Sequence, residues 1–171
     1  MKKMKEFRKI SVIGLGLIAS SICLTLRQKD PTIKLLGYDK DKEVRNRAKK
    51  IGLCKVESNL DKTVSGSKLI ILCVPVGQMQ AVTQRLKKII EPGTTITDVG
   101  SVKLSVIEEI ESNIESVGGK YVPSHPIAGT ERSGPDAGYA GLFEGRWCIL
   151  TPTKKTNKKA LNSLETFWKV L

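Results

Sequence analysis

Gly14-Leu15-Gly16-Leu17-Ile18-Ala19 constrains this chain more than any other stretch. The β-branched run from Ile10 to Ile13 precedes it, and Ile18, Ile22 and Leu26 follow at i, i+4 and i+8, so the segment reads as strand, tight turn and helix. In that setting GxGxxG/A is a turn suited to a dinucleotide's diphosphate. Gly14 permits the bend, Gly16 lets phosphate approach a backbone with no Cβ in the way, and Ala19 allows the helix to pack closely on the strand. The helix start offers free N–H donors and the positive end of its dipole. Asp39 lies 23 residues beyond Gly16, at the end of the next strand, where its carboxylate can accept from both ribose hydroxyls. It would repel a 2′-phosphate, which favours NAD over NADP, although Lys40 and Lys42 beside it soften the choice.

The rest of the chain keeps up the alternation. Lys34 to Tyr38 reads as a second strand, and Asp41 as the cap of a helix with Val44, Ala48 and Ile51 on one face and Gly52 at its stop. A weak strand is expected near Lys55 to Glu57, a strand buried on both faces from Leu69 to Val74, ended by Pro75, and another from Thr94 to Val99. Met79, Val82, Leu86 and Ile89 mark one helix; Val102, Val106, Ile110 and Ile114 mark another. Tyr121 to Ser124 gives a sixth strand, with His125 where it runs out. The glycine-dotted stretch from Gly129 to Gly145 suits a long functional loop, and Trp147 to Leu150 a last short strand. Beyond Pro152 an amphipathic helix begins near Asn157 and still runs at Leu171. Its stripe of Leu161, Leu164, Phe167, Trp168 and Leu171 is apolar surface that something must cover.

Alternating strands and helices predict an α/β fold: a Rossmann-like, doubly wound, mostly parallel sheet with helices on both faces and its ligand at the strands' carboxyl ends. Residues 1–152 are expected to form the cofactor-binding domain and residues 153–171 the start of a helix leading elsewhere.

Composition closes off other classes. With 40% apolar, 27% charged and only 5% aromatic residues, the core must be built from Val, Ile and Leu, as in a sheet between helices. The four cysteines have no CxxC spacing and no histidine at ligand distance, which argues against zinc and for reduced, buried thiols in the cytoplasm. A formal charge of +12 attracts anions, yet no aromatic residues interleave with the basic segments as a nucleic-acid stacking platform requires. The uncharged run from Ile10 to Leu26 behind Lys2, Lys3, Lys5, Arg8 and Lys9 imitates a signal peptide. Its 17 residues are short for a membrane span, and Gly14, Gly16, Ser20, Ser21 and Thr25 dilute it.

His125 is the only histidine. Its expected place at a strand's carboxyl end, on the edge that carries the glycine turn and the loop Asp98-Val99-Gly100-Ser101, makes it a candidate general base. Ser101 has the simpler reading of a helix N-cap.

Four strings together resemble the prephenate and arogenate dehydrogenases of tyrosine biosynthesis: Gly14-Leu15-Gly16-Leu17-Ile18, Gly37-Tyr38-Asp39, Asp98-Val99-Gly100-Ser101-Val102-Lys103, and His125-Pro126-Ile127-Ala128-Gly129-Thr130-Glu131. The last, continued by Ser133-Gly134, is the most diagnostic. The resemblance spans nearly the whole chain and implies NAD-dependent oxidative decarboxylation of a cyclohexadienol. It assigns His125 and Ser101 to catalysis, and Thr130 and Glu131 with them to the substrate. Gly14, Gly16, Leu17, Ile18, Asp39, Lys40, Val74, Pro75 and Gly100 fall to the cofactor. Family members continue into a helical domain that forms a homodimer and supplies an arginine for the substrate carboxylate; the chain is expected to lack it, with weak or no turnover alone. Two alternatives stay open: a β-hydroxyacid dehydrogenase relative relying on Lys103, and a non-catalytic dinucleotide-binding module.

Overall fold

Strand β1 (Lys9–Ile13) feeds the glycine turn and helix α1 (Leu17–Lys29), and the pattern repeats along the chain. The computed structural model describes residues 6–102 and 104–171; Lys2, Lys3, Lys5 and Lys103 lie outside them. After α1 come β2 (Lys34–Tyr38), α2 (Lys42–Lys50), β3 (Lys55–Val56), α3 (Leu60–Val64), β4 (Leu69–Leu72), α4 (Val76–Leu86), β5 (Thr95–Asp98), α5 (Leu104–Glu115) and β6 (Lys120–Tyr121). These six strands form one sheet in the order β3-β2-β1-β4-β5-β6, and every pairing is parallel. That order is the doubly wound one, with its switch point between β1 and β4.

Alternation along the strands explains the two helical layers. Ile10 and Val12 of β1 and Leu69 and Ile71 of β4 face one side, where they bury Ala19, Ile22 and Leu26 of α1 and Ala48 of α2. Ile13, Ile70, Leu72 and Ile96 face the other, against Leu60 and Val64 of α3, Met79 and Leu86 of α4, and Ile107, Ile110 and Ile114 of α5. Asp41 caps α2 by accepting from the N–H groups of Glu43 and Val44, as its position predicts. Helix α3, absent from the sequence reading, is a single short turn capped by Asn59, too brief to show periodicity.

The sixth strand departs from expectation. Its ladder stops at Tyr121, one further bond running from Val122 N–H to the Ile96 carbonyl at 2.9 Å. Pro123 has no N–H to continue it. The chain turns instead into β7 (Ser124–Pro126), which pairs antiparallel with β8 (Cys148–Leu150) as a separate ribbon. His125 therefore sits within this ribbon and not at the end of a parallel strand.

The last helix, α6, spans Lys158–Trp168 and is capped by Asn157, whose side chain accepts from Ala160 N–H. It ends at Trp168 rather than running through Leu171. The chain itself covers its stripe: Leu164, Phe167, Trp168 and Leu171 are buried in the α1-side core. Phe167 meets Phe7 edge-on at 6.4 Å, and Trp168 meets Phe143 at 5.7 Å. Among the described residues no helix is long and apolar enough to cross a membrane.

Candidate active site

The carboxyl ends of β1, β2 and β4 enclose a cavity of about 360 Å³. Gly14, Leu15 and Gly16 line it from the first turn, Asp39 and Lys40 from the second, and Cys73, Val74 and Pro75 from the third, with Gln78 and Val82 on α4. Six residues expected at the cofactor, Gly14, Gly16, Asp39, Lys40, Val74 and Pro75, thus share one wall-to-wall space.

Each glycine of the turn has a different reason to be there. Gly14 has φ of +89° and a Cβ would stand 2.6 Å from the Cys73 carbonyl oxygen, so only glycine fits. At Gly16 an added Cβ meets nothing within 4 Å; its surroundings are open. Gly16 is also the N-cap of α1, with no side-chain cap and no acidic residue in the first turn. The first-turn N–H groups, those of Leu17 and Ile18 included, lack intrahelical acceptors by helix geometry and aim at the cavity's side of the sheet. The helix start can hold an anion.

Asp39 closes the far wall. Its Oδ2 accepts from Leu15 N–H at 2.8 Å and its Oδ1 from Asp41 N–H at 2.9 Å, which fixes the carboxylate while leaving a lone pair on each oxygen for a further donor. Arg45, unnoticed in the sequence, donates to the carbonyls of Asp39 and Lys40 at 2.7 and 2.9 Å and braces the same corner.

The remaining site residues are not in the lining of this cavity. Asp98 is fully buried at the end of β5. Its Oδ2 accepts from Gly100 N–H at 2.9 Å, its Oδ1 from the Tyr121 hydroxyl at 2.8 Å and Ser124 N–H at 3.4 Å. Ser124 Oγ returns a bond to the Asp98 carbonyl at 2.6 Å. Burial and the Asp98 charge push the Tyr121 hydroxyl well above its ordinary range, and burial followed by the same charge does so for the Cys73 thiol. Asp98 thus joins the Ser101 loop to the strand carrying His125. A carboxylate closing the buried strand Thr95-Ile96-Thr97 was the available signal for it, because such a group needs partners when buried. Gly100 is packed tightly, its hypothetical Cβ 3.1 Å from both Asp98 Oδ2 and Met79 Cε. Ser101 is exposed, three residues ahead of α5.

His125 is half-buried and opposite Ile149 in the ribbon; Ile127 N–H bonds the Trp147 carbonyl at 2.7 Å. Side chains two apart share a face, so His125 shares one with Ile127, Trp147 and Ile149, which are 45%, 82% and 52% exposed. Thr130 and Glu131 are exposed in the loop that follows. That loop is held to the cofactor side: Gly138 lies against Ser20 and Ser21 of α1, Tyr139 N–H donates to Ser21 Oγ at 3.1 Å, and Asp136 takes a two-oxygen hydrogen bond from Arg47 Nε.

Residues 22–171 match the family profile described as prephenate dehydrogenase, nucleotide-binding domain. A cyclohexadienyl dehydrogenase of Zymomonas mobilis is 39% identical over 166 residues, 96% of this chain and 56% of that protein. The crystal structure of A. aeolicus prephenate dehydrogenase with hydroxyphenyl propionate and NAD⁺ superposes with a TM-score of 0.87 at 30% identity, covering 95% of this chain and 57% of that one. Synechocystis arogenate dehydrogenase does so with a TM-score of 0.85 at 28% identity, covering 94% and 56%. The chain spans little more than half the length of each. An all-parallel sheet of this order, a glycine turn at its switch point and a family match over nearly the whole chain together mean that it belongs to the prephenate dehydrogenase family, as a nucleotide-binding domain.

Proposed function

We propose that this chain binds NAD and serves the NAD-dependent oxidative decarboxylation of prephenate or arogenate, giving 4-hydroxyphenylpyruvate or tyrosine. The observation that carries the reading is the single cavity joining the Gly14–Gly16 turn to the tethered carboxylate of Asp39. The residues fit a dinucleotide: open space at Gly16 and an uncapped helix start suit a diphosphate, and Asp39 retains acceptor capacity for ribose hydroxyls. A 2′-phosphate would meet that carboxylate at close range, so NAD is preferred over NADP.

When bound, the nicotinamide supplies a hydride acceptor for ring C4 of the substrate. His125 accepts the proton of the C4 hydroxyl, stabilising the carbonyl that forms as carbon dioxide leaves. Ser101, on the neighbouring loop, orients that hydroxyl, and Thr130 and Glu131 line the entrance. The exposed apolar face of Ile127, Trp147 and Ile149 beside His125 suits the substrate ring.

Calorimetric titration of the purified chain with NAD and NADP tests the cofactor half of the reading. Tighter binding of NAD supports it; no binding of either, or preference for NADP, overturns it. Substrate class is read separately, by 4-hydroxyphenylpyruvate or tyrosine formation in wild type and in His125→Asn.

A further inference from the structure

We infer that Asp98 is a positioning residue that sets Ser101 and His125 relative to one another, an inference that deepens the reading above. Those two residues stand on separate segments, one on the loop after β5 and the other on a ribbon outside the main sheet, and the turn at Pro123 breaks the regular ladder that would have aligned them. Asp98 replaces that ladder. Through Oδ2 it fixes the N–H of Gly100, the residue before Ser101; through Oδ1 it takes Ser124 N–H, and through its carbonyl Ser124 Oγ, at the residue before His125. Each bond is one residue removed from the group it places. Thr97 adds a hydroxyl contact to Ser124 Oγ at 2.9 Å.

The carboxylate is buried, so each of its oxygens needs the donors aimed at it. Tyr121 supplies one donor from below, at 2.8 Å, and anchors the carboxylate to β6. A Cβ at Gly100 would stand 3.1 Å from Asp98 Oδ2, so the loop packs directly on the carboxylate it bonds. The consequence is that the two reacting-site segments move together or not at all.

The test labels serine and histidine and reads the Ser101 and His125 resonances by NMR; His125 is the sole histidine, so its imidazole signal is unambiguous. Asp98→Asn keeps one acceptor oxygen and turns an amide donor toward either the Gly100 N–H or the Ser124 N–H, neither of which can accept, so one tether is lost whichever way the amide points. Both resonances should shift, and the NAD-induced change at His125 should be lost, while NAD affinity falls less than about threefold. Ser124→Ala removes the hydroxyl tether to the Asp98 carbonyl and leaves the N–H bond to Oδ1 and the carboxylate in place; there His125 should shift and Ser101 stay. Tyr121→Phe removes an anchor of the carboxylate but neither of the bonds to the two segments, so it should move both signals less than Asp98→Asn does. Should Asp98→Asn fail to fold, the contrast between Ser124→Ala and Tyr121→Phe still decides. Unchanged resonances in Asp98→Asn, or Ser101 and His125 moving equally in Ser124→Ala and Tyr121→Phe, would overturn the inference. If wild type binds no NAD, the cofactor reading fails while the pattern of shifts between the two segments still stands or falls by itself.

Discussion

Leu15 N–H donates to Asp39 Oδ2 at 2.8 Å, so the residue that would read the ribose is also a strut of the glycine turn. Replacing Asp39 by alanine removes both. Losing a hydrogen bond to a charged acceptor costs about 1.5–3 kcal/mol, and NAD affinity should fall by roughly 10- to 150-fold. NADP should lose far less, so the ratio of the two dissociation constants should approach unity. Calorimetry on both nucleotides reads it.

Gly14→Ala and Gly16→Ala should separate folding from binding. The first forces a Cβ into the Cys73 carbonyl at a positive φ and should cost about 1–3 kcal/mol, or roughly 5–10 °C in melting temperature. The second meets no atom in the free chain and should cost about 0.5–1 kcal/mol at an N-cap. It should nonetheless weaken NAD roughly tenfold. Thermal melts and titrations of both variants check the contrast.

His125→Asn should leave NAD binding intact, since His125 stands outside the lining of the glycine-turn cavity. Turnover of prephenate or arogenate, measured as NADH formation, should fall by about 10²- to 10⁴-fold, the usual contribution of a general base.

Alkaline stability should depend on Tyr121. Its hydroxyl is pushed up by burial and by Asp98, so the folded chain holds that proton after the unfolded chain has released it. Tyr121 therefore contributes stability that is fully present below the ordinary tyrosine value near about 10. That contribution is progressively lost as pH rises above that value. Melting temperature against pH should drop more steeply above about pH 10 in wild type than in Tyr121→Phe. Equal slopes would show that another group governs the loss.

Phe167→Ala tests whether α6 belongs to the core. The ring is fully buried against Phe7 and Trp168, and its removal should cost about 3–5 kcal/mol, on the order of 10 °C. A change of a degree or two would mean that α6 is only loosely attached.

The sheet was legible because its strands announce themselves twice, by unbroken apolar runs such as Leu69–Leu72 and by the helices that follow at their own period. The corner lined by Gly14, Gly16 and Asp39 was legible for a related reason: the three lie on consecutive elements, and local spacing carries their geometry. Sequence pattern puts His125 at the end of a parallel strand, whereas it lies in the antiparallel β7–β8 ribbon. The proline that diverts it stands at the end of a two-residue strand, and its effect depends on β8, some 25 residues later, which no local window contains. Asp98 and Arg45 were missed because what makes them matter is the set of backbone groups they meet. The stripe of α6 was read correctly as apolar, but its cover, Phe7 and Phe143, lies far away in sequence and could not be paired with it from periodicity.

The edge-on pair of Phe7 and Phe167 sets an order of events during synthesis. One ring emerges from the ribosome 160 residues before the other, so the α1-side layer stays uncovered along that edge until translation of this stretch is nearly done. Contacts of such long range form slowly, and a nascent chain with an open apolar layer is a client for chaperones. Ribosome-bound intermediates halted before Phe167 should be protease-sensitive at β1.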